Sequence, residues 1–260
     1  MAVHAAGSRA RPEEPLYLTS ALLTAAGLPH LFSTRHFPGV RAWRDPRGPF
    51  DRSALDAFAT SGLPGDGIAF ARQVHGAAAV MVSEAGSAGE ADVLVTDRPA
   101  LRIAIFTADC VPVVVFDRRH RRLAMAHAGW RGTVQSAARV AADALVKRGS
   151  PPEALVAAIG PSIGPCCYEV DRPVIDRLET SHPRMWRSWV TATGPGKWML
   201  DLWRANEDQL IEAGLAAARI DNPRLCTACR ADLFFSYRRG RGEGRLVTLA
   251  AVPPASEAAC

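Results

Sequence analysis

The chain has 260 residues, 48% of them hydrophobic and 22% charged, which is ordinary for a soluble globular protein with a sizeable core. That excludes a collagen-like or wholly disordered chain. No apolar run reaches the roughly 18 to 20 residues that span a bilayer, because residues 103–116 are interrupted by Asp109. The net charge is +5, and only Lys147 and Lys197 are lysines, so arginine supplies the excess. Its two local clusters are Arg118–Arg122 around His120 and a stretch from Arg238 to Arg245. The first reads as a solvated turn, so no nucleic-acid partner is expected.

In chain order, residues 1–15 read as a mobile tail without the apolar stretch of a secretory leader, so a cytoplasmic location is expected. Residues 16–252 read as one domain, and residues 253–260 as a second tail. Residues 91–96 (ADVLVT), 101–107 (LRIAIFT), 110–116 (CVPVVVF) and 123–127 (LAMAH) are rich in β-branched and apolar residues and too short for helices, so they read as strands. Residues 133–147 carry helical spacing, with Thr133 as N-cap and Gly149 beyond the end. Residues 154–159 read as a strand, and Gly160 to Pro165 as a stiff turn. A short helix opens at Asp171 with Pro173 in its first turn, and residues 201–213 form a helix closed by Gly214. Residues 246–252 are a last strand. Strands outnumber the helices between them. The expected fold is therefore α+β, a single layered domain with mixed β-sheets flanked by helices (α/β/β/α-like). No glycine-rich fingerprint points to a nucleotide cofactor.

Six cysteines in a chain of this size without a leader read as reduced thiols, with metal binding or catalysis as the chemical options and a buried apolar role as the alternative for each. Three segments carry the chemistry: Gln73-Val-His-Gly76, Thr107-Ala-Asp-Cys-Val-Pro112 and Ala126-His-Ala-Gly-Trp-Arg-Gly-Thr133. Cys110 starts one expected strand and His127 ends the next. Antiparallel pairing across the arginine-rich turn brings them to the same sheet end. The spacings match no local metal signature, so a structural His and a core Cys stand beside the active-site reading.

These motifs in this order, followed by Gly160-Pro-Ser-Ile-Gly-Pro165 with Tyr168-Glu-Val170, Lys197 to Leu202, Cys226-Thr227, Phe234 to Arg239 and Gly244-Arg245, resemble the multicopper polyphenol oxidase (laccase-domain) family over residues 30–252. Its bacterial members are described as purine nucleoside phosphorylases and as peptidoglycan editing factors. The chain departs from the family pattern at His36 to Val40 and at Asp51. The resemblance implies a metal held by His75, Cys110 and His127, usually zinc, with copper as the alternative. Laccase chemistry needs several coppers and many more histidines than the seven present.

Three functional readings follow. In the first, the chain is a zinc-dependent purine nucleoside phosphorylase acting on adenosine, inosine and methylthioadenosine, with adenosine deamination as a second activity. Cys110, His127 and Asp109 are its catalytic set. Arg35, Gln73, Ser236 and Arg238 are on the substrate and phosphate side, with the Gly132-Thr133 helix start as a further anion site. A surface cation is the alternative for Arg238, and a turn residue for Asp109. In the second reading, Cys110 is a nucleophile with His127 as its base, in a cysteine amidase that edits cell-wall precursors carrying L-Ser in place of L-Ala. In the third, the chain is a non-enzymatic metal-binding or redox-sensing protein built on Cys166-Cys167 and Cys226-x-x-Cys229. One C-x-x-C is half a zinc ribbon at most. No segment specifies an oligomeric state.

Overall fold

The computed structural model describes residues 2–4, 14–41, 48–63, 67–240 and 243–254. Cys260, Arg241 and parts of both expected tails lie outside the described residues. Two large mixed sheets pack face to face between helices. One sheet has six strands, in the order Ile220–Asp221, Leu155–Ile159, Val111–Asp117, Arg122–Ala128, Val93–Thr96 and Ala79–Met81. The other has seven, in the order Ala2–His4, Tyr17–Thr19, His30–Ser33, Leu246–Ala251, Arg102–Thr107, Ile68–Arg72 and Gly86–Glu90. A third, three-stranded antiparallel sheet joins Glu169–Asp171, Lys197–Leu200 and Val190–Gly194.

The layering follows from strands buried on both faces, which need near-continuous apolar sequence. Val111, Val113 and Val115 pack with Ala138, Ala141 and Leu145 of the helix Ala137–Val146 and with Leu202 and Leu210 of the helix Leu202–Glu212. Val114 and Phe116, on the opposite face, meet Phe32, Ile103 and Ile105 of the second sheet. Ala104 and Phe106 turn outward from that sheet onto Phe58 of the helix Arg52–Thr60. The order across the molecule is helix, sheet, sheet, helix, as the sequence leads one to expect.

The expected strands are present within a residue or two. Three local expectations change. The helix expected over residues 133–147 is two helices, Trp130–Val134 and Ala137–Val146, separated at Ser136, whose φ is 60°. The break has a tertiary cause. Thr133 carbonyl accepts from Gln209 Nε2 at 2.7 Å and His182 Nε2 at 3.2 Å, and Thr133 Oγ1 accepts from Asn206 Nδ2 at 3.1 Å. Thr133 is therefore a buried anchor for two other segments, not an N-cap. Asp171 precedes the helix Arg172–Ser181 without a side-chain cap bond, because it already belongs to a strand. Asp201 does cap, accepting from Arg204 N at 2.9 Å. Ala2–His4, expected in a mobile tail, pairs antiparallel with Tyr17–Thr19.

The arginine-rich turn is held from inside. Asp117 is fully buried and accepts from Arg119 N at 2.9 Å, His120 N at 3.2 Å and His120 Nδ1 at 2.7 Å. Burial opposes its charge, but Ser150 and His120 hold its pKa below the usual carboxylate range. A depressed carboxylate stabilises the fold above its unfolded pKa and loses that contribution as pH falls through the folded value. Asp117→Ala is expected to cost about 2–4 kcal/mol near neutral pH, with the gap to wild type closing below roughly pH 4. Urea unfolding of both proteins across that range is the check.

Candidate active site

Three segments meet at one end of the six-stranded sheet. Arg122–Ala128 runs antiparallel to Val111–Asp117, with His127 opposite Pro112 and Ala128 opposite Val111. Cys110, one residue before its strand, thus lies beside His127. His75 arrives from the loop after Ile68–Arg72. One donor atom from each of His75, Cys110 and His127 lies within 4.8 Å of the others. The two imidazoles meet edge to face with centroids 4.9 Å apart.

Asp92 assembles this group. It is fully buried at the start of Val93–Thr96. Its Oδ1 accepts from His127 Nδ1 at 2.8 Å and His75 N at 3.0 Å. Its Oδ2 accepts from Gly76 N at 2.6 Å and Val74 N at 3.2 Å. Burial works against the Asp92 charge, yet the bonds from His127 and Gly76 keep its pKa low. With Nδ1 committed to Asp92, His127 presents Nε2 toward Cys110, the arrangement that orients metal-ligating and catalytic histidines alike. Burial also opposes thiolate formation at Cys110, but the charge and hydrogen bonds of His127 and His75 outweigh it and bring its pKa to about 6. His127 goes the other way. Burial disfavours its charge, but Cys110 and Asp92 raise it to about 9. Three nitrogen and sulfur donors, one of them a thiolate and one backed by a carboxylate, form a set suited to a metal ion.

The group opens into a cavity of about 530 Å³. Phe106, Ile163, Tyr168 and Leu202 give it apolar walls, and Trp130 lines it from the first position of the helix Trp130–Val134. Arg131, Arg238 and Arg245 bring positive charge to it. Among the described residues, the guanidinium of none of these three forms an ion pair with a carboxylate. Burial, followed by the neighbouring Cys110 charge, pushes the Tyr168 hydroxyl up, so it keeps its proton and can donate.

The remaining residues singled out in the sequence separate into two sets. Gln73, Asp109 and Arg238 line the cavity, together with Tyr237 of the Phe234 to Arg239 motif. Gln73 spends its amide on the backbone of Phe106, donating to its carbonyl at 2.7 Å and accepting from its N–H at 2.8 Å. Asp109 Oδ1 accepts from Thr227 Oγ1 at 2.6 Å and its Oδ2 from Arg238 N at 2.7 Å. Both oxygens are engaged, so Asp109 positions Cys110 and the Arg238 turn. The Arg238 guanidinium donates to Glu169 carbonyl at 3.1 Å and lies 5.0 Å from the Tyr168 ring centre.

Arg35 and Ser236 are not among the cavity-lining residues. Arg35 donates to Ala231 carbonyl and lies over Phe235, and Ser236 Oγ accepts from Arg239 N within its own turn. The expected anion site at Gly132-Thr133 does not form, because the helix begins at Trp130 and Thr133 is buried. Asp92, Arg131 and Tyr168 were not marked as site residues by sequence reading, and Arg245 was marked only within the Gly244-Arg245 motif and the arginine cluster. Arg131 and Tyr168 do sit inside quoted motifs, whereas an Asp opening an apolar strand carries no signal of its own.

Comparison with known proteins places these observations among relatives. The family described as multi-copper polyphenol oxidoreductase laccase matches residues 50–253. A Bacteroides thetaiotaomicron protein named purine nucleoside phosphorylase is 38% identical over 162 residues, 60% of this chain and 59% of that protein. The chain thus spans less than two thirds of that relative's length. A protein of an unknown prokaryotic organism named adenosine deaminase RL5 is 37% identical over 158 residues, 60% of each chain. The crystal structure of YlmD from Geobacillus stearothermophilus superposes with a TM-score of 0.82 at 29% identity, covering 94% of this chain and 98% of that one.

Two substitutions probe the group. Asp92→Asn is expected to weaken metal binding about 10- to 100-fold. A Cβ on Gly129 would lie 2.7 Å from Cys110 Sγ, so Gly129→Ala is expected to displace the thiol and lower metal occupancy while the fold persists. Competitive chelator titration, with circular dichroism as the fold control, reads both.

Proposed function

The chain belongs to the multi-copper polyphenol oxidoreductase laccase family, and from that premise we propose that it is a zinc-dependent enzyme that cleaves purine nucleosides with phosphate. The observation that carries this reading is the convergence of His75, Cys110 and His127 on a cavity bearing three arginines whose guanidinium groups form no ion pair with a carboxylate among the described residues. Relatives named purine nucleoside phosphorylase and adenosine deaminase support an enzyme of this kind.

The donor set fits zinc, which takes imidazole nitrogen and thiolate and, with three protein ligands, leaves a position for water or substrate. His75, Cys110 and His127 would hold such an ion, which would supply Lewis-acid polarisation when bound. The chain's own residues do the rest. Arg131, Arg238 and Arg245 receive the phosphate, whose anionic oxygens match guanidinium donors. Phe106, Ile163 and Leu202 take the apolar faces of the substrate and exclude water. The Tyr168 hydroxyl, held protonated, donates to the base or sugar. In the reaction the bond from C1′ of the ribose to the purine nitrogen breaks and a phosphate oxygen bonds to C1′. The purine leaves with the proton given up by the attacking hydrogen phosphate, giving free base and ribose 1-phosphate, or 5-methylthioribose 1-phosphate from methylthioadenosine. Adenosine, inosine and methylthioadenosine are the proposed substrates, and deamination of adenosine is a second activity of the same cavity.

One observation favours a second reading. Cys110, His127 and Asp92 stand in the order nucleophile, base and orienting carboxylate. In metal-free protein that order would suit a cysteine amidase editing cell-wall precursors that carry L-Ser in place of L-Ala.

Incubation with adenosine or inosine, with and without phosphate, separates the two. Phosphate-dependent release of base and ribose 1-phosphate is expected, and it should vanish on chelation and return with zinc. Arg238→Ala is expected to raise KM for phosphate about ten- to hundredfold while changing KM for nucleoside much less. Absence of nucleoside turnover together with precursor cleavage selects the amidase.

A further inference from the structure

The second group of convergent donors is not among the residues that line the cavity. Cys166 and Cys167 sit in the turn that follows Gly164, and Cys226 and Cys229 in the turn before Arg230. The sequence separates the pairs by about sixty residues, and the fold closes that gap. Ser162 and Cys226 form an isolated parallel bridge, with Ser162 N donating to Leu225 carbonyl at 3.2 Å and Thr227 N to Ser162 carbonyl at 3.1 Å. The approach requires a glycine at 164, where a Cβ would meet the Trp203 ring at 2.4 Å. Trp203 in turn donates to Ser162 Oγ at 2.8 Å.

All four sulfur atoms lie within 4.8 Å of one another, and none of the four cysteines is in a disulfide. Cys229 Sγ is 3.4 Å from Cys166 Sγ and 3.4 Å from Cys167 Sγ. Neither partner is singled out, as one would be if a specific disulfide were poised to form. Four thiolates bound tetrahedrally at about 2.3 Å from zinc stand about 3.8 Å apart, inside the observed range. The buried member, Cys226, also accepts from Gly164 N at 3.3 Å, the kind of backbone bond that supports a ligating sulfur.

We infer that Cys166, Cys167, Cys226 and Cys229 form a second, structural metal site for a thiophilic divalent cation of the zinc class, distinct from the His75, Cys110, His127 group. Soft thiolates select such a cation over hard oxygen-seeking ones. Each ligand binds as the thiolate, so its proton passes to solvent on binding, and no oxidant or reductant takes part. The site staples two turns, one flanked by cavity-lining residues and the other bonded to a cavity-lining side chain. The first carries Ile163 and Tyr168 into the cavity wall. The second carries Thr227, which holds Asp109 beside Cys110. The inference does not depend on the reaction performed in the cavity.

The test uses the full-length Cys110→Ser variant, which removes a ligand of the cavity group and leaves the four cysteines intact. Prepared under reducing conditions with zinc, it is expected to retain one zinc per chain after removal of loosely held metal. Replacement by cobalt is expected to give the strong thiolate charge-transfer absorption and tetrahedral ligand-field bands of a four-sulfur site. Adding Cys229→Ser should abolish both signals and lower the melting temperature. A reduced, folded Cys110→Ser protein that holds neither zinc nor cobalt overturns the inference, as does a cobalt spectrum without four-thiolate character. Should the double variant fail to fold, the cobalt spectrum of Cys110→Ser alone still decides. Nucleoside turnover is not read in any arm, so failure here and failure of the phosphorylase reading are separate events.

Discussion

The carboxylate of Asp92 is the constraint on which the candidate site depends. A fully buried charge without partners is unfavourable by several kcal/mol. Here four donors offset that cost: three successive backbone N–H groups from Val74 to Gly76, and His127 Nδ1. Three consecutive amides aim at one carboxylate only if the chain curls tightly around it. That curl places His75 in the left-handed region at φ 63°, where a non-glycine residue rarely sits. The same bond fixes which His127 nitrogen faces Cys110. One buried side chain therefore sets the position of one histidine and the tautomer of another.

The sheet supplies the third member. Register between Val111–Asp117 and Arg122–Ala128 is fixed by burial on both faces. A slip of one residue would exchange the valines that meet the helices with the residues that meet the second sheet. The turn between these strands is anchored at the opposite end by buried Asp117. With both ends pinned, His127 is held within the two-sheet core and Cys110 at its edge, directly before a core strand. A site mounted in this way keeps its geometry better than one carried on loops alone.

Legibility in the sequence followed burial. Runs such as CVPVVVF and LAMAH could be read because strands covered on both faces leave no polar positions, and their pairing across a short turn followed from length. The meeting of Cys110 and His127 was legible for the same reason. Ile68–Arg72 and Gly86–Glu90 were not: the first is a mostly buried run of only five residues, and the second is the largely exposed edge strand and shows no apolar period. The helix around Thr133 was misread because apolar spacing continues through a break imposed by Gln209 and His182, more than forty residues away. Arg35 and Ser236 looked like substrate groups by residue type, yet the structure spends both on neighbouring backbone. Asp92 escaped notice because its partners are backbone amides, which no motif displays.

Asp109 shows how the two groups of donors communicate through the fold. Its φ of 85° is strained for a non-glycine residue, and such strain persists only where surrounding contacts over-determine it. Here Thr227, Arg238 N and Ile163 N all bind it, the last at 2.9 Å through its carbonyl. Thr227 follows Cys226 and Ile163 precedes Gly164, so two of the three contacts arise from the turns that bring the four cysteines together. The conformation of the residue before Cys110 thus depends in large part on those two turns. Whatever holds those turns against each other also holds the thiol in reach of both histidines.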